Sequence, residues 1–177
     1  MSYELVSTIS ADSTSSSMTI TDVFSENYNI YKVVSNLQVN AASSESLYVS
    51  FVDALGSPIT SANYETAHHM NRAYNTQLDR PTSKLAQTNM YVWNLSTNNE
   101  GGGGCVAWVF QPYSTSSYTY LTVDNVGNAP GSGVAGTKGI GVLKLTTQVT
   151  GLYIYSTNSP NYTFAQNSKI SIFGVTE

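Results

Sequence analysis

The sequence predicts an all-β domain, built as a two-sheet sandwich or a closed barrel, and three observations predict it. Ser, Thr and Asn supply roughly a third of the chain, far above usual globular usage, and they separate runs rich in β-branched and aromatic residues. That is the pattern of strands punctuated by turns. About eight or nine short segments alternate apolar and polar residues, a count suited to a sandwich or barrel. No stretch carries a sustained helical period with caps, so the crossover helices of a parallel α/β sheet are not expected.

The elements follow in order. Met1 to Ile9 opens as a short strand and Ser13 to Ser17 follows as a Ser-rich linker, so 1–14 reads as a short N-terminal arm. From Asn29 to Val39, Tyr31, Val33, Leu37 and Val39 share one face, with Asn36 and Gln38 opposite. Leu47, Val49 and Phe51 repeat that spacing before the turn at Gly56-Ser57-Pro58. Residues 56–86 carry the weakest strand signal and are expected as a long loop region, within which Asn63 to Tyr74 could form a short helix. Long loops on a rigid sandwich are natural places for recognition. Gln87 to Leu95 alternates Met90, Val92 and Asn94 against Tyr91, Trp93 and Leu95. Val106, Trp108 and Phe110 mark the next strand, then Tyr118 to Val123, Ile140 to Leu145, Leu152 to Tyr155 and Ile170 to Val175. The 177 residues are enough for one domain with a real core and too few for two, so a single domain over 1–177 is expected.

Composition also excludes function classes. With 41% hydrophobic residues and 13 Tyr, the chain is not a disordered tract. Seven Lys plus Arg, scattered singly in a chain of formal net charge -4, do not make a phosphate-binding surface, so no nucleic-acid partner is expected. No apolar run approaches the ~18 residues that a membrane helix needs. Met1 to Asp12 lacks a basic start followed by an apolar stretch, so a Sec-type signal peptide is not expected. One cysteine, Cys105, rules out an intrachain disulfide and a multi-Cys metal site.

Few residues carry candidate chemistry. His68-His69 beside Glu65 has a faint metal-site look, but neighbouring histidines on a strand point to opposite faces and could chelate together only in a loop or helix. The expectation is a polar loop with no metal and no cofactor, in which His68, His69 and Arg72 are candidate partner or ligand contacts. Cys105, His68 and Asp79 could form a nucleophilic set only by converging in space; no catalytic residue is expected. Gly101-Gly102-Gly103-Gly104 lacks the Gly-Lys-Ser/Thr ending of a phosphate loop and precedes a strand, which reads as a hairpin connection. Trp93, Trp108 and the tyrosines could offer sugar-stacking faces, which makes Trp93 a further candidate contact, although alternating aromatics on strands more often pack cores and subunit contacts.

Two strands are bulky on both faces. Leu152 and Ile154 oppose Tyr153 and Tyr155, and Ile170 and Ile172 oppose Phe173 and Val175. A strand apolar on both faces is covered on both, here either by the second sheet and a loop or by another subunit, and the subunit is the expectation. Tyr153, Tyr155, Phe173 and Val175 are therefore the expected assembly interface.

Several segments carry a resemblance. Tyr3-Glu4-Leu5-Val6-Ser7-Thr8 resembles an aromatic-Glu-Leu-Ile opening. Tyr28-Asn29-Ile30-Tyr31-Lys32-Val33-Val34 and Ser46-Leu47-Tyr48-Val49-Ser50-Phe51 resemble the two strands that follow it. Val149 to Ser156 and Lys169 to Val175 resemble the closing pair. In that order they are similar to small phage virion structural proteins with jelly-roll folds; Ser168 stands where that group has Gly. The resemblance implies an antiparallel jelly-roll-like β-sandwich that is homotrimeric, made in the host cytoplasm and carried in the virion. It implies a capsid decoration or cement protein whose partners are its own copies and the major capsid protein. A tail-fibre or receptor-binding protein contacting tail proteins and a host glycan is the alternative. A free lectin-like module is the reading outside a virion.

Overall fold

A computed structural model of the chain describes residues 2–40, 45–72, 82–95, 102–129, 133–156 and 162–176. Among them the strands are β1 (Ser2–Ser10), β2 (Ser17–Ile20), β3 (Ile30–Leu37), β4 (Val39–Asn40), β5 (Glu45–Asp53), β6 (Tyr64–Arg72), β7 (Thr82–Gln87), β8 (Met90–Leu95), β9 (Gly103–Phe110), β10 (Thr119–Ala129), β11 (Gly133–Leu143), β12 (Val149–Ser156), β13 (Thr163–Phe164) and β14 (Lys169–Thr176). The described residues contain no helix. An eight-stranded antiparallel sheet runs β1-β14-β3-β9-β10-β11-β6-β7, a four-stranded sheet runs β2-β12-β5-β8, and β13 pairs with β4. The protein is all-β, in the arrangement of a β-sandwich.

The chain crosses repeatedly between sheets. β1 feeds β2, β2 feeds β3 and β12 feeds β14, each step changing sheet, while the hairpins β6–β7 and β10–β11 widen the large sheet on one side. Alternation explains which faces close the core. β3 buries Tyr31, Val33 and Leu37, β5 buries Leu47, Val49 and Phe51, β12 buries Leu152 and Ile154, and β14 buries Ile170 and Ile172. Each such side chain contributes ~1.5–3 kcal/mol of transfer free energy. Where β8 comes down on β11, the inward positions around Gly141 are small, and a Cβ on Gly141 would run into the Met90 thioether. In the small sheet, a Cβ on Gly151 of β12 would run into the Ile20 carbonyl of β2.

Three fully buried tyrosines tie connections to strands. Tyr64 Oη accepts from Phe51 N and donates to Ile59 O, both at 2.9 Å. Tyr31 Oη accepts from Ser25 N at 2.8 Å and donates to Ser25 O at 3.1 Å. Tyr162 Oη donates to Ser16 O and accepts from Ser156 N at 2.7 Å. The Ser-rich linker after β1 is turned by Asp12, whose Oδ1 accepts from Thr14 N and Ser15 N at 2.9 Å. Those bonds, the Thr14 amide first, lower its carboxyl pKa to about 2. The predicted turn before β6 is held similarly, with Leu55 N and Ser57 N donating to Asp53 Oδ1.

The fold departs from the sequence reading in one place. Residues 56–86 are not one long loop: they carry β6 and most of β7, and no helix forms among the described residues of 63–74. The inward set of β6 is Tyr64, Thr66, His68 and Met70, so polar residues sit where an alternating pattern expects apolar ones. The short strand expected at the start of the chain is present: β1 pairs along its length with β14, as the edge of the large sheet.

Tyr64→Phe leaves the Phe51 amide and Ile59 carbonyl without their buried partner, and should lower stability by ~1–3 kcal/mol in urea unfolding. Burial holds the Tyr64 phenol well above its usual range. Its contribution is therefore whole below pH ~10, the unfolded value, and is lost as pH rises toward the folded one. Stability measured from pH 9 to 11.5 should fall for the native chain and fall less steeply for Tyr64→Phe. Gly151→Ala should cost more than Tyr64→Phe, because backbone must move; an equal or smaller loss would contradict the close approach.

Candidate assembly surface

The small sheet covers one face of the large sheet, and the opposite face is also apolar. In β9 the inward residues Cys105, Ala107 and Val109 are buried, while the larger Val106, Trp108 and Phe110 lie half-buried on the outer face. Register carries this across the sheet. Leu5, Phe173, Lys32, Trp108, Thr122, Ile140 and Ala67 occupy one row from β1 to β6. Ile30, Phe110, Tyr120, Val142 and Glu65 occupy the next. Ile140 is 62% exposed, Leu85 70% and Tyr120 49%, and with Phe110 and Val142 they surround a depression of about 400 Å³. Exposed apolar residues scattered singly are ordinary, whereas a contiguous group marks an interaction surface.

Several charges on this face have partners within the chain. Lys32 Nζ lies 4.8 Å from the Tyr3 ring centre and 5.6 Å from that of Trp108, a cation–π arrangement. Lys138 pairs with Asp124 at 3.3 Å, and Lys144 with Glu65 at 2.8 Å. The Glu65 hydrogen bond holds the Lys144 ammonium above its usual range. Exposed pairs of this kind add little stability, but they leave the strands around the depression with little net field.

The four residues expected as one interface fall on two faces. Phe173 and Val175 belong to the outer face of the large sheet, Val175 being 5% exposed. Tyr153 and Tyr155 lie on the outer face of the small sheet, their rings stacked with centroids 4.7 Å apart. Asn89 Nδ2 donates to Tyr155 Oη at 3.0 Å. The core separates the two pairs. The residues missed by sequence reasoning are Leu85, Tyr120 and Ile140. The signal for them was the size inversion along β9 and the Gly-rich inward set of β11, which leaves Ile140 and Val142 on the outer face opposite Gly139 and Gly141.

His68 and His69 sit in β6 rather than in a polar loop. Alternation turns His68 inward, paired with Gly139, and His69 outward, paired with Lys138, so they do not form a chelating pair. Burial first, and the Lys84 ammonium second, hold the His68 imidazole below its usual range. Arg72 and Trp93 pair through their backbones with Ala135 and Leu47; their side chains lie outside the described residues. Asp79 lies outside them altogether. Cys105 is buried in β9, three strands from β6, a lateral separation of ~14 Å, so it and His68 do not converge. Among the described residues no group of three His, Cys, Asp or Glu could hold a metal ion, and no helix is long and apolar enough to cross a membrane.

A second, polar recess of about 230 Å³ lies where connections 21–29 and 111–118 meet, lined by Glu26, Tyr28, Asn29, Gln111 and Tyr113. Gln111 N donates to Asn29 O at 2.8 Å, joining its two walls. Tyr28 packs over Gly174, where a Cβ would collide with its ring, and donates to Glu4 Oε2 at 2.6 Å. That bond raises the Tyr28 phenol above its usual range. Comparisons with protein-family models, curated proteins and solved structures find no match to this chain.

A folded His pKa below the unfolded value means that the His68 contribution is whole above pH ~6.5 and is lost as pH falls through the folded value. The melting temperature of the native chain should drop between pH 7.5 and 5, and His68→Gln should flatten that slope. An identical slope in the variant would contradict the inward placement.

Proposed function

We propose that the protein is a structural component of a bacteriophage particle, a homotrimeric capsid decoration or cement protein that binds and stabilises the capsid surface. The observation that carries this reading is the apolar outer face of the large sheet, which suits a subunit made to be covered by other protein rather than to turn over a substrate. The strand order supports a jelly roll: β1-β14-β3-β9 set against β2-β12-β5-β8 is the nested order of two four-stranded jelly-roll sheets, with β6–β7 and β10–β11 as added hairpins. Only 10% of residues are charged, so contacts made by such a surface depend little on long-range charge and tolerate salt. The same proteins the sequence resembles are expected in the virion, assembled in the host cytoplasm.

Immunogold electron microscopy of the parent particle tests the reading. Label spread over the head supports decoration, and particles without label would sink the virion reading.

The polar recess favours a second reading, a tail-tip protein that contacts a host glycan. Two tyrosines, two amides and a carboxylate converge there, groups that pair with sugar hydroxyls and stack on sugar faces. Label confined to the tail, with glycan-array binding lost in Tyr113→Ala, is the outcome expected of that reading.

A further inference from the structure

We propose that the outer face of the large sheet, centred on the depression between Phe110, Tyr120, Ile140 and Leu85, is where a second copy of this chain docks. The inference deepens the self-assembly part of the reading above and rests on that part alone, not on the location in a virion. It also relocates the interface, from the closing strands to β9, β10, β11 and the β6–β7 hairpin.

Area is the first argument. The five strands β9, β10, β11, β6 and β7, at ~3.3 Å per residue and ~4.8 Å between strands, span roughly 700 Å² of projected face, close to the ~800 Å² per partner of a stable interface of standard size. The second is side-chain placement. Ile140 and Leu85 are the most exposed large apolar residues of the sheet, at 62% and 70%, and they flank the depression rather than standing apart from it. Aromatic groups, here Phe110 and Tyr120, are the side chains that anchor interface centres. Charge is the third. On the strands around the depression, Asp124–Lys138 and Glu65–Lys144 are paired within the chain. A partner therefore needs no countercharge, and a partner face that is itself apolar and charge-compensated fits. A second copy presents that face, and closed symmetric association buries it on every subunit.

Sedimentation equilibrium of the full chain from about 1 to 100 µM tests this. The native chain should be an oligomer. Ile140→Asp should dissociate it, weakening association about 30-fold or more, the scale of an interface hot spot. Tyr153→Ala, on the outer face of the small sheet, should leave the oligomer intact. Because Ile140 and Leu85 are exposed, Ile140→Asp and Leu85→Asp should both keep the native circular dichroism spectrum. Leu85→Asp, on the edge hairpin, reads the same face if Ile140→Asp folds poorly. A native chain that is monomeric throughout overturns the inference, as does an oligomer that survives both aspartate variants. Labelled particles together with a monomeric native chain would leave the virion reading standing and remove only this one.

Discussion

An eight-stranded sheet is covered by a four-stranded one, and this mismatch governs the rest of the structure. A narrow sheet can close the core beneath a wide one only if the wide one curves and the two approach closely at the far side. β8 makes that approach, lying against β10, β11 and β6. Its Met90 thioether occupies the space a side chain at Gly141 would need, and the inward residues of β9 and β11 are Gly, Ala, Cys and Thr over much of their length. Interiors are packed to crystal-like density, so bulk removed from the inner face here leaves the larger apolar side chains of these strands on the outer one.

The connections are held without covalent ties. Cys105 is buried and forms no disulfide, and the ion pairs among the described residues are exposed. Buried tyrosines act in their place. Tyr31, Tyr64 and Tyr162 each carry a large apolar ring into the core and spend the hydroxyl on backbone groups of a connection or strand end. A buried polar group must find a partner, and here the partner is chain that would otherwise be loosely held. Tyr28 does a related task at the surface, covering Gly174 of β14 and reaching Glu4 of β1, so the edge strand is tied to the sheet by a side chain as well as by its ladder.

A low charge density and a hydroxyl-rich surface have a consequence for association. Steering by net charge is weak in such a chain, and specificity has to come from shape and buried apolar contact. That favours permanent contact with copies or a lattice over rapid exchange with charged ligands. It agrees with the apolar outer face and with the internal pairing of the charges found on it.

The sequence by itself determined the all-β class, the antiparallel architecture of short strands, and the inward faces of β3 and β5. Those elements show plain alternation of large apolar residues, and alternation reports burial because side chains on a strand point to opposite faces. Only the tertiary structure decided that Tyr153 and Tyr155 lie across the core from Phe173 and Val175, since period tells which residues share a face of one strand and not which sheet that strand joins. It also decided that His68 and His69 belong to a strand. Threonine and histidine occupy inward positions of β6 and alanine an outward one, which erases the local signal. The apolar depression around Ile140 was hidden for a third reason: it is assembled from β9, β10, β11 and the β6–β7 hairpin, and register between strands is a long-range property that no local window contains.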